Sequence, residues 1–326
     1  MLKVGKLDSD VLERIVFDKL KYRREEVITR PGIGEDCAVV DYGDHECVLS
    51  TDPITASIED IGHLAVHISC NDIASNGIEP VGLLLAVLLP EGTTETDIER
   101  MMEQVGKASE ELGVEIIGGH TEITRAVKQP LMVSTAVGRA LKGTSQAAKD
   151  MQEGDAIIIT KQAGLEGTGI IATEKELTGF LTENEIAEAR AMLQQVSVVK
   201  EGVIAGKIGT HGMHDVTEGG ILGAVWEMCH ISGLGAQIDR EAVTVSDITI
   251  KVAEHFGIDH LRLISSGCMM IACAQDKRDE MIEKIRAAGI PAACIGTVKS
   301  AEHGVRFTDG TMIDPPSVDE IYKVID

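Results

Sequence analysis

Short apolar runs bounded by glycine alternate with helix-length segments along the whole chain, and one polar stretch, Lys142 to Asp150, interrupts them. Such alternation confines the chain to a layered α/β or α+β architecture, because each strand or helix must bury an apolar face against another element. The interruption predicts two domains, residues 1–150 and 151–326, each long enough for its own core. In the first, a helix is expected over residues 9–20 and strands over 37–41 and 46–50, with Asp52-Pro53 ending the second strand. Ile61 to Asn76 and Glu95 to Leu112 read as helices, and Val81 to Leu89, Val114 to Ile117 and Leu131 to Arg139 as strands. The second domain starts with a strand at Ala156 to Thr160, followed by helices and by glycine-rich turns at 164–169 and 217–220.

A formal charge of -23 argues against affinity for nucleic acid or for an anionic membrane surface, since both attract basic patches. A polyanionic ligand would need a cation between itself and this chain. The seven cysteines, at 37, 47, 70, 229, 268, 273 and 294, form no Cys-x-x-Cys pair and read as reduced core thiols. The N-terminal MLKVGKLDSD carries no apolar signal, and the longest apolar run, Val81 to Leu89, is too short to span a bilayer. The expected location is cytoplasmic.

Chemistry is expected at acids in unusual places. On the helix from Ile61, residues Leu64, Ala65 and Ile68 mark one apolar face, and Asp72 falls only about 20° from it at 100° per residue. A buried carboxylate needs a hydrogen-bonded partner, a raised pKa or a metal ion. Asp36, just after Gly32-Ile33-Gly34, and Asp52, at the end of a strand, share this placement at element edges. Carboxylates delivered by separate elements suit Mg2+, a hard cation commonly bridged to substrate phosphates. Gly32 and Gly34 would then let backbone approach a phosphate, although neither a P-loop nor a complete G-x-G-x-x-G is present. Gly118-Gly119-His120-Thr121-Glu122 is expected as a loop at the carboxyl edge of a strand, with His120 a metal ligand, an acid or base, a phosphate donor or a surface residue. In His214-Asp215-Val216-Thr217-Glu218-Gly219-Gly220, Asp215 or Thr217 can cap the following helix, whose N-terminus could also receive a second substrate.

GIGEDCAVV, STDP, CNDIASNGIEP, GGHTE and HDVTEGGILGAV occur in this order over about residues 5 to 310. The set resembles the superfamily of aminoimidazole ribonucleotide (AIR) synthetase, thiamine-monophosphate kinase, selenophosphate synthetase and the hydrogenase-maturation carbamoyl dehydratase. The kinase and dehydratase branches are the most similar. The resemblance implies an N-terminal domain forming a homodimer through its sheet, a C-terminal domain covering the cleft, and ATP bound there through magnesium. It places Asp36, Thr51, Asp52 and Asp72 at metal and phosphate positions; on the enzyme reading Asp36, Asp52 and Asp72 carry the metal, Gly32, Gly34, Gly118 and Gly119 the phosphate path, and His120, Glu122 and Asp215 the substrate end. The implied reaction is attack of a small molecule's amide-type oxygen on ATP. The chain departs from the family at His120, where the kinase and the dehydratase carry aspartate, and at Ser265-Ser266-Gly267-Cys268, where the dehydratase has a Glu-Gly-Lys-like turn. It has neither the reactive N-terminal cysteine of selenophosphate synthetase nor a thiol after Cys294 to match the dehydratase's C-terminal cysteine. The alternative expectation is a non-catalytic ATP-binding scaffold dimer serving a maturation partner protein.

Overall fold

The computed structural model describes residues 7, 9–54, 59–316 and 318–325; most of the N-terminal segment read above for a signal lies outside them, as does Asp326. The first half contributes β1 (Val27–Thr29), β2 (Ala38–Asp41), β3 (His45–Ile54), β4 (Pro80–Leu89), β5 (Glu115–Ile123) and β6 (Leu131–Leu141), with α1 (Ser9–Ile15), α2 (Ile61–Ser75) and α3 (Glu95–Leu112). Its strands form one sheet in the order β1-β2-β3-β6-β4-β5, in which only β4 and β5 run parallel. The second half contributes β7 (Ala156–Thr160), β8 (Gly212–Asp215), β9 (Gly235–Ile238), β10 (Met269–Cys273), β11 (Ala292–Lys299) and β12 (Val305–Phe307). Its helices are α4 (Leu165–Glu174), α5 (Glu183–Ala191), α6 (Val199–Ile208), α7 (Gly220–Ser232), α8 (Asp247–Phe256) and α9 (Arg278–Ala287), and its sheet runs β12-β9-β11-β7-β10-β8. The α/β class expected from the alternation is the one observed.

The two sheets are covered differently. In the second, alternate residues feed two cores: Ile157, Ile159, Met270 and Ala272 pack with α7, while Ala156, Ile158, Met269 and Ile271 pack with α6 and α9. That period-two division explains why β7 and β10 are apolar throughout. In the first sheet, β3 buries Glu46, Val48, Ser50 and Ile54 on the side that meets α2, whereas β5 is almost entirely exposed. Leu84, Ile117 and Ile123 remain 42%, 51% and 51% exposed.

Helix α2 lies where the halves meet, against β3, β4 and β6, against α3, and against α6 and β8. It is therefore buried nearly all round, Asp72 included. Asn71 donates to Val196 O at 2.7 Å and accepts from Val198 N–H at 2.8 Å. Further along, a Cβ on Gly206 would sit 2.6 Å from Gly77 Cα, so backbone meets backbone there.

Three expectations need correction. Strand β3 does not end at Asp52-Pro53 but continues to Ile54. Glu46 to Leu49 pair with β2 on one side and β6 on the other, whereas Thr51 to Ile54 pair with β6 alone, so Pro53 has an open side where its missing N–H is tolerated. Residues 165–174 form α4 rather than a turn, since Gly167 leaves room for the Leu263 side chain, which an added Cβ would approach to 2.4 Å. Strand β5 extends through the whole of Gly118 to Glu122. All seven cysteines are free, and five are buried. No helix among the described residues is long and apolar enough to cross a membrane.

Candidate functional site

Four carboxylates from separate elements meet between the halves. Asp52 points from β3 to the α2 side, Asp72 comes from α2, Asp36 from the segment before β2, and Asp215 from the end of β8. Ser50 Oγ donates to Asp72 Oδ2, Ser75 Oγ donates to Asp36 Oδ2 at 3.0 Å, and Cys37 Sγ donates to Asp72 O at 3.1 Å. Burial raises the Asp72 carboxyl well above the ordinary range, with Asp215, Asp52 and Asp36 adding to the effect. Burial, then Asp36, pushes Asp215 up to about 7, and its Oδ2 is buried without a hydrogen-bond partner among the described residues. Two like charges 4 Å apart repel by about 4 kcal/mol at an effective dielectric constant near 20, so this cluster favours either protons or a cation.

One cationic side chain already sits beside it. His214 Nδ1 lies 2.9 Å from Asp36 Oδ2 and Nε2 lies 3.1 Å from Glu227 Oε2. Burial works against charge on this ring, but the two carboxylates outweigh it and hold its pKa well above normal. As imidazolium it donates both N–H groups. Asp36, His214 and Asp215 each offer an atom within 4.8 Å of the others, so Asp36 and Asp215 stand close enough to share one ion beside the His214 ring. With both His214 nitrogens engaged, the remaining donors are carboxylate oxygens, the set that suits magnesium rather than a softer metal.

Asp215 is not a helix cap: α7 starts from Gly219, with no side-chain cap, leaving the carboxylate to the cluster. Gly32 and Gly34 belong to a turn closed by Glu35 N–H to Gly32 O at 3.3 Å. Gly34, at φ 75°, brings this turn against α7, where an added Cβ would stand 3.4 Å from Glu227 O. Glu35 is pushed up to about 7, chiefly by burial, so the acid beside the glycine turn is not a solvated one.

Thr51, His120 and Glu122 lie apart from these groups. By strand alternation Thr51 faces away from Asp52, and its hydroxyl meets that of Thr135 at 2.9 Å. Pairing sets Thr135 opposite Leu84, Leu84 opposite Gly118 and Ala86 opposite His120, which places His120 and Glu122 on this same outer face. They are exposed and 3.3 Å apart. The expected loop at Gly118-Gly119 is a strand because Gly119 permits close pairing with β4: an added Cβ would be 2.0 Å from Leu85 O. Sequence reasoning passed over His214, Glu227, Ser50 and Ser75. The available signals were His214 beside Asp215 and Ser75 three residues after Asp72 on one helix.

The N-terminal domain of AIR synthase related proteins matches residues 34–140, and the C-terminal domain of the same proteins matches residues 152–309. Carbamoyl dehydratase HypE of Rhizobium leguminosarum bv. viciae is 31% identical over 89% of this chain and 86% of its own. A Methanocaldococcus jannaschii protein named for hydrogenase expression and formation is 28% identical over 96% of each chain. Among solved structures, the hydrogenase maturation protein HypE in complex with ATP superposes with a TM-score of 0.73 at 21% identity, covering 99% of this chain and 98% of that one. The HypE-HypF complex gives 0.72 at 22% identity over 87% and 94%. The domain matches in chain order, the 31% relative and the shared fold together make this chain a member of the AIR synthase related family.

Proposed function

We propose that this chain is an ATP- and magnesium-dependent enzyme that activates a small molecule's amide-type oxygen by phosphoryl transfer. The observation that carries the reading is the convergence of Asp36, Asp52, Asp72 and Asp215 in one cluster, with Asp215 Oδ2 left unpartnered among the described residues. These four would hold the cation, which when bound neutralises charge on the phosphates. Ser50 and Ser75 orient Asp72 and Asp36. His214 holds Asp36 in place beside Asp215 and ties it to α7 through Glu227. In phosphoryl transfer, positioning and charge neutralisation supply most of the rate, so this set needs no nucleophilic side chain. The names of the relatives, a carbamoyl dehydratase and a maturation protein in complex with ATP, support both the nucleotide and the amide-type acceptor.

The domains 1–150 and 151–326 would divide this work, the first supplying Asp36, Asp52 and Asp72 and the second Asp215 and His214. A homodimer through the outer face of the first sheet would cover Leu84 and Ile117. In that arrangement His120 and Glu122 would reach substrate only across the pair of chains. Gly118 and Gly119 pair with Leu84 and Leu85 in the ladder beside that face. A maturation protein is the proposed macromolecular partner, by analogy with the HypE-HypF complex.

The test is phosphate release from ATP across a panel of carboxamides and carbamates, with and without Mg2+. Asp72→Asn should lower turnover by roughly 100-fold or more, the scale of losing a preorganised charge-stabilising group. Unchanged turnover in that variant would remove the assignment.

A further inference from the structure

Lys161 follows β7 with a φ of 51°, and every other described residue of positive φ is a glycine. A left-handed backbone is unfavourable for a long side chain, so its presence here points to work done by the ammonium group. That group is largely buried, its side chain 14% exposed, and it reaches three partners: Ser197 O at 2.7 Å, Gly267 O at 2.9 Å and the Glu201 carboxylate, itself 1% exposed. Thr160 Oγ donates to the same Glu201 oxygen at 3.2 Å and accepts from Met269 N–H at 2.9 Å. The end of β7, the turn before β10 and the start of α6 are thus gathered on one cation.

The segment so fastened is the one that grips α2. Ser197 lies between Val196 and Val198, whose backbone groups take both ends of the Asn71 amide. Asn71 immediately precedes Asp72, so this grip sets the register of α2 against the second half right beside the carboxylate cluster. The start of α6 also presses on α2 itself, since a Cβ on Gly202 would lie 2.5 Å from Ala74 O. Lys161 backs this segment through its bond to Ser197 O.

We propose that Lys161 is a positioning residue: its clamp on residues 197–201 and 267 sets, through Asn71, where Asp72 stands relative to Asp215. The proposal rests on the magnesium reading above and adds to it a group that touches neither metal nor substrate. Its work is geometric. The ammonium fixes the distance between carboxylates carried by different halves.

The experiment titrates Mn2+ into the full chain without nucleotide, following free and bound ion by electron paramagnetic resonance, alongside the melting temperature of the metal-free protein. Lys161→Gly combined with Glu201→Gln removes the clamp without stranding a buried charge and relieves the left-handed backbone. The expected result is a Mn2+ affinity about 10- to 100-fold weaker, the range for groups that orient metal ligands, with a broadened bound-ion spectrum and a chain still folded at the titration temperature. Wild-type affinity and spectrum in the double variant would overturn the clamp. Should the double variant melt below that temperature, Glu201→Gln alone is titrated: weakened binding supports the proposal, and wild-type binding overturns it. Failure of the magnesium reading looks different, because the unaltered chain and Asp72→Asn would then take up Mn2+ equally poorly.

Discussion

The inner and outer faces of the first sheet carry polar residues under opposite conditions. Asp52 turns inward to α2 and joins three other carboxylates and an imidazolium largely withdrawn from bulk water, whereas its neighbour Thr51 turns outward and meets Thr135. His120 and Glu122, one strand pair further, share that outer face with the exposed apolar side chain of Leu84. One residue step along β3 thus separates a site where each charge alters its neighbours from a surface where His120 and Glu122 stand in solvent. Burial, more than residue type, decides which acids can do chemistry.

Breaking the inner face should have the larger consequences. Asp72→Asn is expected to lower ATP turnover by roughly 100-fold or more while leaving the chain folded, measured as phosphate release and by circular dichroism. On the outer face, Leu84→Lys should raise the dissociation constant of the dimer by about 30-fold or more, as for a central interface residue, with the folded state of each chain kept. Sedimentation equilibrium reads that shift, and an unchanged association would show that this face is not the paired one.

A pH series sharpens the contrast further. Asp215 rises from its ordinary 3.8 to about 7, so between these values the folded metal-free chain holds a proton that the unfolded chain has lost. Stability of the metal-free protein should therefore fall as pH rises from roughly 4 to 7, and Mg2+ should offset the fall by replacing the proton. Below pH 7 the affinity for Mg2+ should climb by at least about tenfold per unit, since Asp215 and Asp72 both release protons to the cation, which calorimetric titration at fixed ionic strength would show or refute. The smallest expected effect belongs to Thr51→Ala, within about twofold of wild-type turnover for an exposed position away from the cluster. A loss comparable with that of Asp72→Asn would bring the outer face into the site and erase the distinction.

Much of this division is legible in the sequence. Asp72 betrays itself by standing on an apolar helix face, and α3 is bounded by signals that act locally: the Thr94–Asp97 capping box at its start and left-handed Gly113 at its end. The misread segments have causes far along the chain. Gly118-Gly119 looks like a loop until β4 lies against it, and Gly164 to Gly169 looks like a turn until Leu263 fills the space above Gly167. His214 finds Asp36 across a separation of 178 residues, and no local pattern encodes that meeting. Helical periodicity reports which face of an element is buried, but the identity of what buries it is a property of the assembled chain.

The contact of Gly77 with Gly206 has a thermal consequence. With the two backbones in direct contact and the Gln146 amide donating to Gly206 O beside them, the halves have little freedom to drift before they separate outright. Warmed in a calorimeter, the protein should give one sharp endotherm instead of two, and a bulkier residue at Gly206 should split that peak.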